Sequence, residues 1–233
     1  MGSGETAGAT LPRPTRHRLF IDTADPAAFE RWLPTGIVHG VTTNPTVLAR
    51  AGRRTAIASL APLAERALGL GAAEFQAQAW GGTASDYERT GLELAAIAPE
   101  VVVKVPMGEA GLHAARALLA RGVRVTMTAV HDASQVLAAV LLGADYVAPY
   151  HGRIGEAGRD ADAAIAAMLR IADGAGRTRV LVASVRSATS AAALAAAGCD
   201  TMTVSPDVLE AMVARADSAA STAAFEADAA RAP

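Results

Sequence analysis

The sequence contains one lysine, and its surroundings are unusual for a charged residue. Of the 21 basic residues, 20 are arginine, and Lys104 lies within the apolar run 101–105. A strand lysine is most often an edge charge, or a side chain with a buried stem whose ammonium reaches water. Because arginine supplies every other positive side chain, we expect Lys104 to do what arginine cannot. A neutral amine attacks a carbonyl carbon and forms a Schiff base, whereas a guanidinium stays protonated.

The elements that must position this lysine follow a repeating pattern. Short β-rich runs precede stretches of Ala, Leu and Arg with helical character, which predicts βαβ units and a parallel sheet. Eight runs are expected, at residues 19–22, 37–42, 73–80, 101–105, 123–128, 145–150, 179–184 and 200–205. Eight units in about 200 residues favour a closed (β/α)8 barrel, the TIM barrel, over a doubly wound sheet. The latter would carry a glycine-rich turn after its first strand, and neither GxGxxG nor GxxxxGK occurs.

The barrel is predicted to be a single α/β domain over residues 19–233, since no Pro/Gly/Ser-rich linker divides them. Residues 1–18 have no apolar segment and are predicted to be a flexible leader rather than a signal peptide. The helical stretch 206–230 predicts a long C-terminal helix. Its apolar segment near Phe225 is expected to be available to a neighbouring subunit.

The carboxyl ends of the strands form the active face of such a barrel. One carboxylate, one amine, one phenol, two amides and several hydroxyls are expected to converge there. The residues are Asp22, Thr42, Asn44, Gln78, Lys104, Thr128, Tyr150, Ser184, Arg186 and Ser205. The histidines show neither HExxH nor another paired spacing, so no metal is expected.

Composition excludes several other classes of protein. A net charge of -2 and a pI of about 6.2 give no basic footprint for nucleic acid. No apolar stretch approaches the roughly 18 residues of a membrane span. The single cysteine, Cys199, excludes an intrachain disulfide and favours the cytoplasm. We therefore expect no nucleic-acid partner and no membrane partner.

Five motifs carry a resemblance to a known family. They are FIDT at 20–23, GVTTNP at 40–45, VKVP at 103–106, TAV at 128–130 and YVAPY at 146–150. In this order they resemble the short transaldolase family, and most closely its fructose-6-phosphate aldolase branch. The resemblance extends from about residue 19 to residue 225. TTNP alone is a weak signal, whereas the five motifs together are specific.

The resemblance implies a class I aldolase mechanism without metal or cofactor. Lys104 matches the Schiff-base lysine of the family, and Asp22 matches the carboxylate that moves the proton of the C4 hydroxyl. Gln78 and Thr128 match the pair that positions a proton-carrying water. Tyr150 matches a phenol found in the aldolase branch.

The same resemblance implies a substrate-binding set. Thr42 and Asn44 match residues that hold the hydroxyl groups of the donor, and Arg153, Ser184 and Arg186 match an anion pocket for phosphate. Ordinary structural roles remain open at each position.

Those ordinary roles are a helix cap for Asp22, a turn residue for Asn44 and a solvated surface charge for each arginine. The alternative role of Gln78 is that of an amide packed inside the barrel. Gln76 lies two residues earlier on the same strand and could be the amide at the mouth instead.

The resemblance thus implies an aldolase that cleaves or forms the C3–C4 bond of fructose 6-phosphate or a related ketose, with dihydroxyacetone as the donor unit. One alternative is a transaldolase that transfers dihydroxyacetone between sugar phosphates, such as sedoheptulose 7-phosphate and glyceraldehyde 3-phosphate. A second is a barrel that only binds sugar phosphates, which the loss of Lys104, Asp22 or Asn44 would have favoured. The partners expected are sugar phosphates, dihydroxyacetone or an aldehyde, and further copies of the chain in a pentamer or decamer.

Overall fold

A computed structural model describes residues 16–174 and 176–231. Most of the expected leader lies outside these residues, and Arg18 already belongs to the first strand. In this part of the chain the strands are β1 (Arg18–Asp22), β2 (Gly40–Thr42), β3 (Glu74–Gln78), β4 (Val101–Pro106), β5 (Val125–Val130), β6 (Tyr146–Pro149), β7 (Arg179–Val180), β8 (Val182–Val185) and β9 (Thr201–Val204). The helices are α1 (Pro26–Trp32), α2 (Pro45–Arg50), α3 (Ile57–Gly69), α4 (Ala84–Ala95), α5 (Glu109–Ala120), α6 (Ala133–Leu142), α7 (His151–Glu156), α8 (Ala161–Asp173), α9 (Ala188–Ala196), α10 (Pro206–Val213) and α11 (Ala216–Ala229).

The strands form a nearly closed parallel barrel in the order β7-β6-β5-β4-β3-β2-β1-β9-β8. The expected single strand at 179–184 is divided at Leu181 into β7, which pairs with β6, and β8, which pairs with β9. The Leu181 N–H still donates to the Val147 carbonyl at 2.8 Å, and Tyr150 bridges to Ala183. The two pieces are therefore one staggered run that closes the sheet, and the predicted single-domain (β/α)8 barrel is confirmed.

Side chains alternate between the inside of the barrel and the helices around it. A small apolar cluster joins residues of β1, β4, β6 and the β7–β8 break, which can meet only inside a closed sheet. Its members are Phe20, Val102, Tyr146, Ala148 and Leu181. The intervening strand residues pack outward against the helices in the larger core, which includes Ile21, Val41, Phe75, Val103, Met127, Leu60, Leu94 and Leu118. Because successive strand residues face opposite sides, the position of Val102 also fixes that of Lys104.

The C-terminal stretch differs from the expected long helix. Helix α10 begins after Ser205, whose side chain caps it, but Ala214 and Arg215 leave the helical conformation and α11 begins at Ala216. Val208 and Leu209 hold α10 against the barrel, whereas α11 has no buried residue. The sequence at the break contains neither glycine nor proline, so no local signal predicts it. No helix of the described ranges combines the length and apolarity that crossing a membrane requires.

Candidate active site

Lys104 lies on β4 with its side chain directed into the barrel, two residues after the interior residue Val102. It is 3% exposed. Its strand neighbours are Gln78 on β3 and Thr126 on β5. Among residues 16–174 and 176–231, no group forms a hydrogen bond or ion pair with the Lys104 ammonium. A buried amine without a protein partner is available to react with a ligand.

Two amides of β3 occupy successive interior layers. The Gln76 carbonyl oxygen accepts from the Thr126 hydroxyl at 2.8 Å, and its Nε2 donates to Glu74 at 3.3 Å. Gln78 lies one layer nearer the mouth, opposite Lys104, and no protein partner satisfies its amide in the described chain. Gln78 is therefore the β3 amide that lies beside the lysine with its hydrogen-bonding groups unoccupied.

Asp22 ends β1 and accepts a hydrogen bond from the Thr42 hydroxyl at 2.7 Å. The Thr42 oxygen also lies 2.7 Å from the Thr203 hydroxyl oxygen. Because a hydroxyl carries one proton and a carboxylate only accepts, Thr203 must donate to Thr42. Helix α1 is capped by Asp25, whose Oδ1 accepts from the Ala27 N–H at 3.0 Å, so helix capping does not account for Asp22. This carboxylate is held at the mouth by two ordered hydroxyls.

Asn44 has a local structural role, and part of its side chain is left without a protein partner. Its Oδ1 accepts from the Val47 N–H at 3.0 Å and caps α2, whose first residue is Pro45. The side-chain NH2 has no partner in the part of the chain that is described. The cap fixes the amide, and the two N–H donors remain free for hydroxyl groups of a substrate.

Thr128 and Tyr150 are brought together at the ends of β5 and β6. Their hydroxyl oxygens lie 3.1 Å apart. Arg153, one turn into α7, places its Cζ 4.9 Å from the centroid of the Tyr150 ring. Such a cation–π contact is worth about 0.5–1 kcal/mol at an exposed site. The phenol is thus linked to a buried hydroxyl and covered by a guanidinium.

Two bulges shape the rim of the mouth. Ala129 has a φ of 57° and Ser184 has a φ of 58°, in the left-handed region that L-residues avoid. The β5–β6 pairing shifts register between Met127 and Val130, and the β8–β9 pairing shifts between Val182 and Val185. Bulges beside active sites re-aim side chains, and each left-handed residue costs roughly 1–2 kcal/mol. The strands that supply Thr128 and Ser184 are therefore both irregular at that point.

Two residues of the predicted anion pocket, Ser184 and Arg186, lie where α7 packs on the end of β8. A Cβ atom at Gly152 would lie 2.5 Å from the Ser184 carbonyl oxygen and 2.8 Å from Arg186 Nε. Only glycine permits this approach. Arg186 is exposed and its Nη2 donates to Glu156 at 2.6 Å, so an incoming anion has to compete with a carboxylate.

A buried polar cluster at the amino ends of the strands was missed by sequence reasoning. We call it the floor network, and it consists of Arg18, His39, Glu74, Arg124 and Tyr146. Glu74 accepts from Arg124 and from Tyr146, both at 2.9 Å, and lies 3.4 Å from Arg18, which also contacts the Tyr146 hydroxyl. The sequence does contain a signal for this network, because Glu74 begins a strand and shares one face of that strand with Gln76 and Gln78.

Charges and hydrogen bonds in the floor network control its ionisation. Burial raises the pKa of Glu74, but His39 at 3.7 Å, the hydrogen bond and charge of Arg124 and the hydrogen bond of Tyr146 outweigh burial and bring the pKa down to about 2. Burial and the Glu74 charge raise the pKa of Tyr146 to about 12. Glu74 is therefore a carboxylate, and Tyr146 a neutral phenol, across the ordinary pH range.

A nearly closed parallel barrel with an unpartnered lysine, a fixed carboxylate and a phenol at the carboxyl ends of its strands defines a class of protein, the (β/α)8-barrel enzymes. The model of the family Transaldolase/Fructose-6-phosphate aldolase matches residues 19–232. The chain belongs to this family and is an aldolase or transaldolase.

Curated relatives agree with this assignment. A probable transaldolase of Moorella thermoacetica is 36% identical over 199 residues, which cover 84% of this chain and 89% of the relative. A probable transaldolase of Phenylobacterium zucineum is 35% identical over 196 residues, with 84% and 88% covered. One of Paracoccus denitrificans is 33% identical over 196 residues, with the same coverage.

Proposed function

We propose that this enzyme is a Schiff-base aldolase that cleaves and forms the C3–C4 bond of fructose 6-phosphate or a related ketose. The observation that carries the proposal is Lys104, a buried amine without a protein partner, placed beside Gln78 at the mouth of the barrel. Lys104 Nζ attacks the C2 ketone, and water leaves as the imine forms.

The positions of the other side chains suit the remaining steps. Asp22 removes the proton of the C4 hydroxyl while the C3–C4 bond breaks. The electron pair of that bond moves into the imine and gives an enamine. The aldehyde leaves. Tyr150, linked to Thr128 at 3.1 Å, donates a proton to C3 of the enamine. Water then hydrolyses the imine and releases dihydroxyacetone, with Gln78 orienting the water.

Recognition of the substrate is divided between two sides of the mouth. The free NH2 of Asn44, with Thr42, holds hydroxyl groups of the donor. Arg153, Ser184 and Arg186 hold the phosphate. Arg153 has no ion pair among the described residues, so its guanidinium is ready for bidentate contact with an anion.

The preference for an aldolase rests on Gln78 and Tyr150. A glutamate at position 78 would exchange protons with water, whereas an amide only orients the water, which leaves the Tyr150 phenol as the proton donor to the enamine. The main alternative is a transaldolase, in which an aldose phosphate captures the enamine before it is protonated. The names of the relatives in Moorella thermoacetica and Phenylobacterium zucineum favour this alternative.

The aldolase and the transaldolase share one enamine and differ in whether it is protonated or captured by an aldose phosphate. The protein is incubated with fructose 6-phosphate, with and without erythrose 4-phosphate, and free dihydroxyacetone and sedoheptulose 7-phosphate are quantified. We expect dihydroxyacetone to form faster. Faster formation of sedoheptulose 7-phosphate replaces the aldolase with the transaldolase, and absence of both products from a protein that binds the sugar supports a barrel that only binds sugar phosphates.

A double variant sharpens the test. Gln78→Glu with Tyr150→Phe supplies a carboxylate beside the imine and removes the phenol that protonates the enamine. We expect the ratio of transferred to released dihydroxyacetone to rise about tenfold or more. Thr222→Val, an exposed substitution on α11, is the matched control and leaves the ratio unchanged.

We further propose that the enzyme is a homo-oligomer, with a pentamer or a decamer as the expected assembly. Helix α11 packs no residue into the core, and Met212, Val213 and Phe225 expose apolar side chains near it or on it. An apolar cavity of about 580 Å³ lies nearby, lined in part by Ala191 and Met202. Sedimentation equilibrium tests the assembly, and a monomer at micromolar concentration contradicts it. The cytoplasmic location stays a prediction.

A further inference from the structure

His131 directly follows β5 at the mouth and has no place in the proposed reaction. Its ring lies edge-on to Tyr150, with the ring centroids 5.4 Å apart and an interplanar angle of 80°. Arg153 contacts the same Tyr150 ring, with Cζ 4.9 Å from its centroid. Two basic groups therefore meet on the phenol that the proposed function uses as its acid.

Both groups have donors that the protein does not occupy. The His131 backbone N–H donates to Gln135, but within the described ranges no group forms a hydrogen bond or ion pair with its imidazole. The same holds for the Arg153 guanidinium, which makes the ring contact alone. Arg186, by contrast, is already paired with Glu156 at 2.6 Å. A half-buried imidazole and an exposed guanidinium, both without a protein partner and both against one phenol ring, can bind an anion together.

The charges that surround His131 are mainly positive. Arg153 faces it from α7, Arg159 faces it from the segment after α7, and Tyr150 is a neutral neighbour. Asp132, the next residue in the chain, lies 3.8 Å from Arg159 and balances that arginine. Burial first, and then the charges of Arg153 and Arg159, lower the pKa of His131. The imidazole is consequently neutral at pH 7 when no anion is bound.

We propose that His131 joins Arg153 in binding the phosphate group of the substrate, and that binding of this anion draws one proton onto His131. The inference rests on the proposed function, because it extends the anion site of the same reaction. A bound dianion offsets the two arginines and accepts a hydrogen bond from the imidazolium.

The sign of the coupling follows from linkage. The anion favours the protonated imidazole, so the pKa of His131 is higher in the complex than in the free protein. Between those two pKa values, binding takes up one proton, and by reciprocity the anion binds more tightly as the pH falls. The limiting slope is about tenfold in Kd per pH unit. Below the free-protein pKa the affinity levels off, since His131 is already charged.

The test uses inorganic sulfate, because sulfate stays a dianion while a phosphate ester itself titrates with a pKa near 6. Isothermal titration calorimetry in buffers of different ionisation enthalpy gives the number of protons taken up. For the wild-type protein we expect uptake of about one proton near neutral pH and a Kd that falls roughly three- to tenfold from about pH 7.5 to pH 6.5. Sulfate that fails to bind, or binds without proton uptake, overturns the proposal.

Variants separate His131 from the other histidines. His131→Phe keeps an aromatic ring against Tyr150 but cannot titrate, and we expect proton uptake to vanish and sulfate binding to weaken about tenfold. His131→Gln keeps one donor and should bind sulfate without proton uptake. His113→Asn removes an exposed imidazole on α5 and should behave as the wild type. Persistent proton uptake in both His131 variants overturns the proposal.

The readout does not depend on turnover. Proton-linked sulfate binding in a protein that cleaves no ketose supports the anion site and rejects the proposed reaction. Turnover of fructose 6-phosphate together with proton-independent sulfate binding rejects the role of His131 and leaves the proposed reaction standing.

Discussion

The two ends of the barrel interior use polar residues in opposite ways. At the amino ends of the strands, Glu74 is surrounded by Arg18, Arg124 and Tyr146 in the floor network. At the carboxyl ends, Lys104 and Gln78 have no protein partner in the described chain. Both groups are enclosed by the same sheet.

The difference separates stability from function. The Glu74 carboxylate, with Arg124 and Tyr146 as hydrogen-bond partners, holds this end of the barrel in one arrangement, and its removal leaves those partners uncompensated. A buried polar group without partners weakens the fold, and it persists where a ligand supplies the missing contacts. We therefore expect substitutions at the floor to lower stability and substitutions at the mouth to lower activity.

The largest effect is expected at the mouth. Lys104→Met removes the amine and puts an apolar side chain where a buried polar group has no protein partner. We expect turnover to fall on the order of 10⁴-fold or more, while the free energy of unfolding is unchanged or rises. Borohydride reduction with dihydroxyacetone and peptide mass spectrometry should place the wild-type adduct on Lys104. An adduct elsewhere, or retained turnover, contradicts the mechanism.

Substitution in the floor network should lower stability, and the size of that loss should depend on pH. Glu74→Gln leaves Arg18 and Arg124 without their shared carboxylate, and we expect the protein to lose roughly 3 kcal/mol of stability at neutral pH. The Glu74 pKa is depressed from 4.5 to about 2, so this contribution is complete above about pH 4.5 and disappears as the pH falls towards 2. Urea unfolding at several pH values measures it, with Glu226→Gln on α11 as the control. A pH-independent difference would show that the charge is not responsible.

The two amides of β3 allow the comparison within one strand. Gln76→Met breaks the hydrogen bonds to Thr126 and Glu74 and should cost about 2 kcal/mol of stability with little change in kcat. Gln78→Met should lower kcat by about ten- to a hundredfold with less than about 0.5 kcal/mol of stability lost. Steady-state kinetics and urea unfolding of both variants are required. An exchange of the two outcomes would assign the catalytic amide to Gln76.

The smallest effect concerns the partner of Arg186. Arg186→Ala should weaken the binding of phosphorylated substrates about tenfold and leave KM for dihydroxyacetone unchanged. Glu156→Gln releases Arg186 from its ion pair and should strengthen binding of phosphorylated substrates by about two- to threefold. The inhibition constant of inorganic phosphate, determined for both variants, measures both changes in binding. Equal losses for dihydroxyacetone and for fructose 6-phosphate would remove Arg186 from the anion site.

Local sequence was sufficient where the signal was local. The βα repeat predicts the barrel, and the single lysine stands out by composition. The division of the seventh strand and the break between α10 and α11 were not predicted, because neither carries glycine or proline.

The sequence by itself determined that Lys104 lies in a buried strand of a parallel barrel, since apolar alternation and residue type are properties of single segments. Only the tertiary structure decided that Gln76 is bonded while Gln78 is free, that Glu74 joins the floor network, and that His131 meets Arg153 on Tyr150. These contacts join residues far apart in the chain, and which donors find partners depends on strand register and on the bulges at the rim. Hydrogen bonds are directional, so that register separates the paired Glu74 and Gln76 from the unpaired Gln78 and Lys104.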